Sequence, residues 1–152
     1  MEIETARLKL IPCDSHSLEI IAFQKYGNGP QITNHLKELE RDPTSYGWGS
    51  WLVLRKSDEL IIGDAGFKGK PNSRQEVEVG YGFIERYWGQ GFATEAVQGL
   101  VDWAFDQKTV TKVTAETNAD NYGSIRVLEN VGMKRTKDIE DMVYWELIKQ
   151  QR

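Results

Sequence analysis

The chain has 152 residues, 39% apolar, 28% charged and 11% aromatic, with 19 Lys and Arg against 23 Asp and Glu and a formal net charge of −4. That length suits one domain rather than two, and the aromatic content excludes an intrinsically disordered chain. The acidic balance counts against a nucleic-acid partner, and no stretch approaches the roughly 18 apolar residues of a membrane span.

A lone cysteine, Cys13, permits no internal disulfide and fits a reducing compartment. The opening MEIETARLKLIP mixes charged and apolar residues and lacks the unbroken apolar core of a secretion signal. A cytoplasmic protein with no membrane partner is expected.

In chain order, residues 3–11 read as a strand, with Ile3, Leu8, Leu10 and Ile11 among charged neighbours. Leu18, Ile21 and Ala22, and then Ile32, Leu36 and Leu39, recur at helical spacing; Gly27-Asn28-Gly29-Pro30 between them makes two short helices rather than one. Trp51 to Leu54 and Leu60 to Phe67 are two strands joined at Ser57-Asp58-Glu59. After a polar loop, Lys68 to Gln75, a strand runs from Glu76 to Ile84. Its Val77, Val79, Tyr81 and Phe83 share one side, and Glu76, Glu78, Gly80 and Gly82 the other.

The clearest helix spans about 91–107, where Phe92, Ala93, Ala96, Val97, Leu100, Val101, Ala104 and Phe105 form a wide apolar stripe. A strand follows over 111–117. A short helix then runs from an Asn121 cap to a terminating Gly132. The chain finishes as a hairpin, Met133–Ile139 and Met142–Ile148, turning at Glu140-Asp141. The order β-α-α-β-β-β-α-β-α-β-β predicts an α/β (α+β) single domain over 1–152, a mixed sheet with helices on its faces. The strand around Met142-Val143-Tyr144-Trp145 is expected at a sheet edge, covered within a monomer or paired in a homodimer.

The segment Tyr81-Gly82-Phe83-Ile84-Glu85-Arg86-Tyr87-Trp88-Gly89-Gln90-Gly91-Phe92-Ala93-Thr94-Glu95 takes a strand through a glycine turn straight into the best helix. Unpartnered N–H groups and the helix macrodipole make such a junction an anion site, and glycines let a phosphate approach the backbone. The string is neither a P-loop, GxxxxGK[ST], nor a dinucleotide fingerprint, because Thr94 stands where the third glycine of GxGxxG belongs.

Arg86-x-x-Gly89-x-Gly91-x-Ala93 resembles the [RQ]-x-x-G-x-[GA] pyrophosphate loop of the GNAT superfamily of N-acetyltransferases. Asn121-x-x-Ser124-x-x-x-Leu128-x-x-x-Gly132-Met133 is similar to that family's second cofactor segment. Thr5-x-Arg7-Leu8-x-Leu10 and Glu78-Val79-Gly80-Tyr81 resemble its Rim-type branch, the ribosomal-protein N-terminal acetyltransferases.

The resemblance implies a mostly antiparallel GNAT sheet with a splayed central strand pair and helices on both faces. It implies acetyl-CoA as co-substrate, a primary-amine acceptor (a protein N-terminus or a small molecule) and direct transfer in a ternary complex. No metal is implied. The cofactor would meet Phe83 and Ile84 at the strand end; Arg86, Trp88, Gly89, Gln90, Gly91, Phe92, Ala93 and Thr94 in the loop; and Asn121 and Ser124 beyond it. A non-catalytic acyl-CoA-binding sensor or interaction module is the alternative.

Amine acetylation needs a neutral amine, a polarised carbonyl and an outlet for the thiolate. The backbone around Tyr81–Phe83 is the expected carbonyl donor. Glu78 is the leading general base, ahead of Glu76 and Glu116, because a carboxylate in a desolvated cleft is a better base. Ser124 is the candidate donor to the departing sulfur; Leu128 stands where many members of the family carry a tyrosine. Cys13, His16 and His35 form no recognisable nucleophilic or metal arrangement. Trp51 and Trp103 are expected in the core, whereas His35 and Trp48, within or beside the variable 24–50 region, are expected to line the acceptor pocket.

Overall fold

Alternation of apolar and polar residues in short runs, interrupted by two helical stretches before the third strand, builds one continuous sheet. The computed structural model describes residues 1–27 and 29–150; Asn28, in the predicted turn between the first two helices, lies outside them. The elements are β1 (Ile3–Glu4), β2 (Leu8–Pro12), α1 (Ser17–Gln24), α2 (Pro30–Arg41), β3 (Ser50–Arg55), β4 (Ile61–Phe67), β5 (Glu76–Phe83), α3 (Phe92–Phe105), β6 (Lys112–Asn118), α4 (Tyr122–Val131), β7 (Lys134–Ile139) and β8 (Met142–Ile148). The eight strands lie in the order β1-β2-β3-β4-β5-β6-β8-β7. All neighbours run antiparallel except β5 and β6.

The strands β3 and β4 are buried on both faces of the sheet. Leu8, Leu10, Trp51, Val53, Val77, Val79, Val113 and Trp145 pack with the apolar faces of α3 and α4, through Val97, Leu100, Val101 and Leu128. On the opposite face Cys13, Leu52, Leu54 and Ile61 meet Ile21 of α1 and Ile32 of α2. Pro30 at the first turn and the buried Ile32 and His35 fix α2 against the sheet.

Two expectations are corrected. The first strand is divided, because the chain turns at Thr5–Arg7, where both residues reach the first turn of α3. The Met142–Ile148 strand is interior, paired on both sides by β6 and β7. Its Val143 and Trp145 are buried, whereas every residue of β7 is exposed. The apolar arm of the hairpin therefore takes the inner place and the charged arm, Lys134-Arg135-Thr136-Lys137-Asp138, forms the edge, where charge discourages further pairing.

The feature that positions the site is a failed pairing. β5 and β6 are in register from Glu76↔Lys112 to Glu78↔Thr114 and no further, although both strands continue by several residues. Beyond Glu78 the central pair is splayed, as the resemblance implies.

Candidate active site

Strand alternation decides what faces the gap. The carbonyl of Glu78 accepts from Lys68 of the β4 side and the amide of Ile84 donates to Ile62, so even-numbered residues of β5 turn their backbone groups to β4. Gly80 and Gly82 accordingly pair with Gly66 and Asp64. The odd-numbered residues, Tyr81 and Phe83 among them, then turn theirs toward β6, where no ladder bonds are made past Thr114. The Phe83 carbonyl is met instead by the Trp88 indole N–H at 2.8 Å. The Tyr81 hydroxyl crosses the gap and donates to the Ser124 carbonyl at 3.2 Å, tying β5 to α4.

Below the gap the chain makes a single helical turn at Glu85–Tyr87 and swings through Gly89 and Gly91, with φ +76° and +82°, into α3. Those left-handed angles favour glycine and aim the following amides outward. Among the described residues, no acceptor meets the amides of Gly89 through Thr94. They form a fitting cradle for an anion such as a pyrophosphate, reinforced by the α3 dipole. Phe92 is buried in the core and offers the loop only its amide, while the Trp88 side chain is 64% exposed.

The turn is braced from the N-terminal segment. The Arg7 guanidinium donates to the Gln90 carbonyl at 3.0 Å, pairs with Glu95 at 2.8 Å and lies 4.3 Å from the Phe92 ring centroid. The Thr5 hydroxyl and the Arg7 amide complete the hydrogen bonding of Glu95. Burial alone would raise the Glu95 carboxyl, but these bonds outweigh it and hold the group below its usual range. The Thr-x-Arg-Leu run at the start of the chain thus buttresses the glycine turn.

On the far bank Asn121 caps α4, its Oδ1 accepting from the Ser124 amide at 3.2 Å. Both residues line a cavity of about 450 Å³ together with Gly80, Tyr81, Gly82, Ala115, Glu116 and Thr117. Leu128 is fully buried in the core, so the α4 turn that carries it presents no polar group to the gap.

Ser124, the candidate donor to the sulfur, is therefore in the cavity wall, and the candidate bases and acceptor residues are spread over several places. Glu78 sits where β5 and β6 are still paired, bound to Lys68 at 2.6 Å, and is not part of the cavity lining. Glu76 is tied to Asn72 and Lys112. Glu116, past the divergence, lines the cavity. Trp48 lies outside the cavity lining and packs with Phe67 and Trp103 at centroid distances of 5.4 and 4.8 Å. His35 is buried against Gly49, outside the cavity lining. Trp51 and Trp103 pack edge to face at 5.2 Å, as core residues.

A residue that the sequence did not single out completes the cavity. Asp64 of β4 is only 5% exposed yet lines the cavity, and accepts from the Tyr26 hydroxyl at 2.6 Å and the Gln31 amide at 3.1 Å. The signal available was a single acid inside Ile61-Ile62-Gly63-Asp64-Ala65-Gly66-Phe67, a strand otherwise apolar or glycine and buried throughout. Among the described residues, no group of three His, Cys, Asp or Glu gathers as a metal site, and no helix is long and apolar enough to cross a membrane.

Comparison with known proteins agrees with this geometry. The acetyltransferase (GNAT) domain model matches residues 20–134, and the chain belongs to that family of acetyltransferase enzymes. It is 27% identical, over 94% of its length and 95% of the other's, to the uncharacterized N-acetyltransferase YjdG of Bacillus subtilis (strain 168). It is 34% identical to the uncharacterized protein YkkB of the same organism, over 66% of this chain and 59% of that protein. The fold is shared with the ribosomal-protein-S5-alanine acetyltransferase of Vibrio fischeri, with a TM-score of 0.75 and 17% identity over 97% of this chain and 96% of the other. It is also shared with RimL, the ribosomal L7/L12 alpha-N-protein acetyltransferase, in complex with coenzyme A, with a TM-score of 0.75 and 16% identity over 97% and 98%.

Proposed function

We propose that residues 1–152 act as a single cytoplasmic N-acetyltransferase domain that moves an acetyl group from acetyl-CoA directly to a primary amine, a protein N-terminus or a small molecule, in a ternary complex. The observation that carries this is the coincidence, at the end of one strand, of an open central strand pair that lines a cavity and a braced glycine turn whose amides have no acceptor among the described residues.

Acetyl-CoA supplies the activated acyl group as a thioester. The amides from Gly89 to Thr94 bind its pyrophosphate, with Arg86 and Gln90 beside them; Phe83, Ile84 and Trp88 border its path, and Asn121 and Ser124 flank the pantetheine. The Tyr81 N–H, directed into the gap by strand alternation, polarises the thioester carbonyl. The acceptor nitrogen forms the new C–N bond as the C–S bond breaks. Its surplus proton passes to Glu116, the carboxylate on the β6 bank. The thiolate leaves toward the Ser124 hydroxyl, which donates a hydrogen bond to it, and takes its proton from solvent. Glu78 holds Lys68 rather than the acceptor proton, since its carboxylate is already paired. A covalent acetyl-cysteine route is disfavoured, because burial pushes the Cys13 thiol up to about 12.

The test is thiol release from acetyl-CoA with a panel of primary amines. Glu116→Gln should lower kcat by about 10²–10⁴ with acetyl-CoA affinity retained, and Glu78→Gln by less than tenfold. The reverse pattern returns the base to Glu78. Absence of both acetyl-CoA binding and thiol release contradicts the proposal as a whole.

A further inference from the structure

We infer that Asp64, held by Tyr26 and Gln31, binds a second cationic group of the acceptor, so that the preferred substrate is a compact diamine-like amine rather than a monoamine or an acidic peptide N-terminus. The inference rests on the acetyl-transfer proposal and deepens it.

Asp64 is a carboxylate withdrawn from solvent in the middle of a sheet, and such a charge is costly unless it is paired. Its two partners, a phenol and a carboxamide, are neutral. Burial, and then the bond to Asp64, push the Tyr26 hydroxyl far above the usual phenol range, so that it remains a donor. Among the described residues, Asp64 makes no ion pair, and neither does Glu116. Among the described residues, the one cationic side chain in the cavity wall, Lys68, is bound to Glu78. A buried acid facing a cavity without a counter-ion leaves that position to the ligand.

The register places the group that Asp64 would hold. Asp64 pairs with Gly82, and Gly66 with Gly80, so the β5 residues between Asp64 and the gap carry no side chain on that face. A Cβ at Gly82 would meet nothing within 4 Å, and one at Gly80 only the flexible end of Lys68 at 3.4 Å. This glycine floor connects Asp64 on one bank with Glu116 on the other. Neighbouring strands are about 4.8 Å apart, so Asp64 stands one strand spacing behind β5, the strand that borders the gap. A cation held there is joined to the reacting nitrogen by a short spacer that crosses the glycine floor of β5, the range that a four-carbon diamine probes.

The experiment compares 1,4-diaminobutane with butylamine, and with a peptide bearing an acidic N-terminal segment, in kcat/KM for acetylation by the intact chain. The wild type should favour the diamine over the monoamine by tenfold or more, and the peptide should react least. Asp64→Asn should collapse the diamine-to-monoamine ratio toward one. A wild-type ratio near one, a preference for the peptide, or an unchanged ratio in a folded Asp64→Asn protein overturns the inference; the wild-type comparison decides even if the variant does not fold. Acetyl-CoA binding is followed in parallel by thermal shift. Binding with peptide acetylation alone defeats the diamine inference and leaves acetyl transfer standing, whereas no acetyl-CoA binding defeats both.

Discussion

Replacing Arg7 with Ala tests whether the N-terminal segment braces the glycine turn. The side chain contributes an ion pair to Glu95 at 2.8 Å, a hydrogen bond to the Gln90 carbonyl at 3.0 Å and a cation–π contact 4.3 Å from the Phe92 centroid. The guanidinium side chain is 47% exposed, so the ion pair is worth at most about 1 kcal/mol. A charged hydrogen bond adds about 1.5 kcal/mol and the ring contact about 0.5 kcal/mol. Because the three share one side chain, their joint loss should cost about 2 kcal/mol rather than the full sum. In a chain of this size each kcal/mol moves the midpoint by roughly 2–4 °C, so Arg7→Ala should melt about 4–8 °C lower. A turn that is less well held must be ordered by its ligand, and about 1 kcal/mol of that ordering would weaken acetyl-CoA roughly fivefold. Differential scanning fluorimetry gives the first quantity and calorimetric titration the second. A loss below 2 °C with unchanged affinity would refute the brace and leave Arg7 as an ordinary surface residue.

Further outcomes follow from the buried groups. Burial holds the His35 imidazole below its usual value, and its Nε2 meets no hydrogen-bond partner among the described residues. Below pH of about 6.5 the unfolded chain therefore binds more protons than the native one, so stability should be complete above that pH and decline as pH falls through it. His35→Gln should flatten this acid limb in melts taken from pH 7.5 to 5.5; an identical limb in the variant excludes His35 as its source. Cys13 is fully buried and its thiol is raised to about 12, so alkylation at pH 8 should occur only on unfolding, and mass spectrometry during turnover should find no acetyl group on it. Rapid labelling of the native protein would contradict this. Leu100→Ala, at a fully buried position of α3, should cost about 2–5 kcal/mol in denaturant unfolding; a cost under 1 kcal/mol would place that side chain outside the core.

Elements dominated by local signals were legible in the sequence. The α3 stripe, the Asn121 cap and the terminating Gly132 appear as expected because periodicity and capping chemistry act over a few residues. The divergence of β5 from β6 was legible only through the resemblance, since no property of Glu76–Phe83 alone states where a parallel neighbour leaves it. Long-range partners were not legible. The pairing of Glu78 with Lys68 across the β4–β5 turn and the packing of Trp48 against Trp103 join residues too far apart in the chain for local patterns to show. Asp64 acquires its meaning from Tyr26 and Gln31, more than 30 residues earlier in the chain.

The most direct measurement is thermal unfolding of the wild type and of a Gly89→Val, Gly91→Val double variant with acetyl-CoA, ATP and NAD. Both positions have left-handed backbone angles that valine resists. Acetyl-CoA at about 100 times its Kd should stabilise the wild type by about 2.7 kcal/mol, a rise of roughly 5–11 °C, with neither nucleotide matching it and the variant showing no rise. An equal rise in the variant, or a larger one with ATP or NAD, would contradict the assignment of the glycine turn to acyl-CoA.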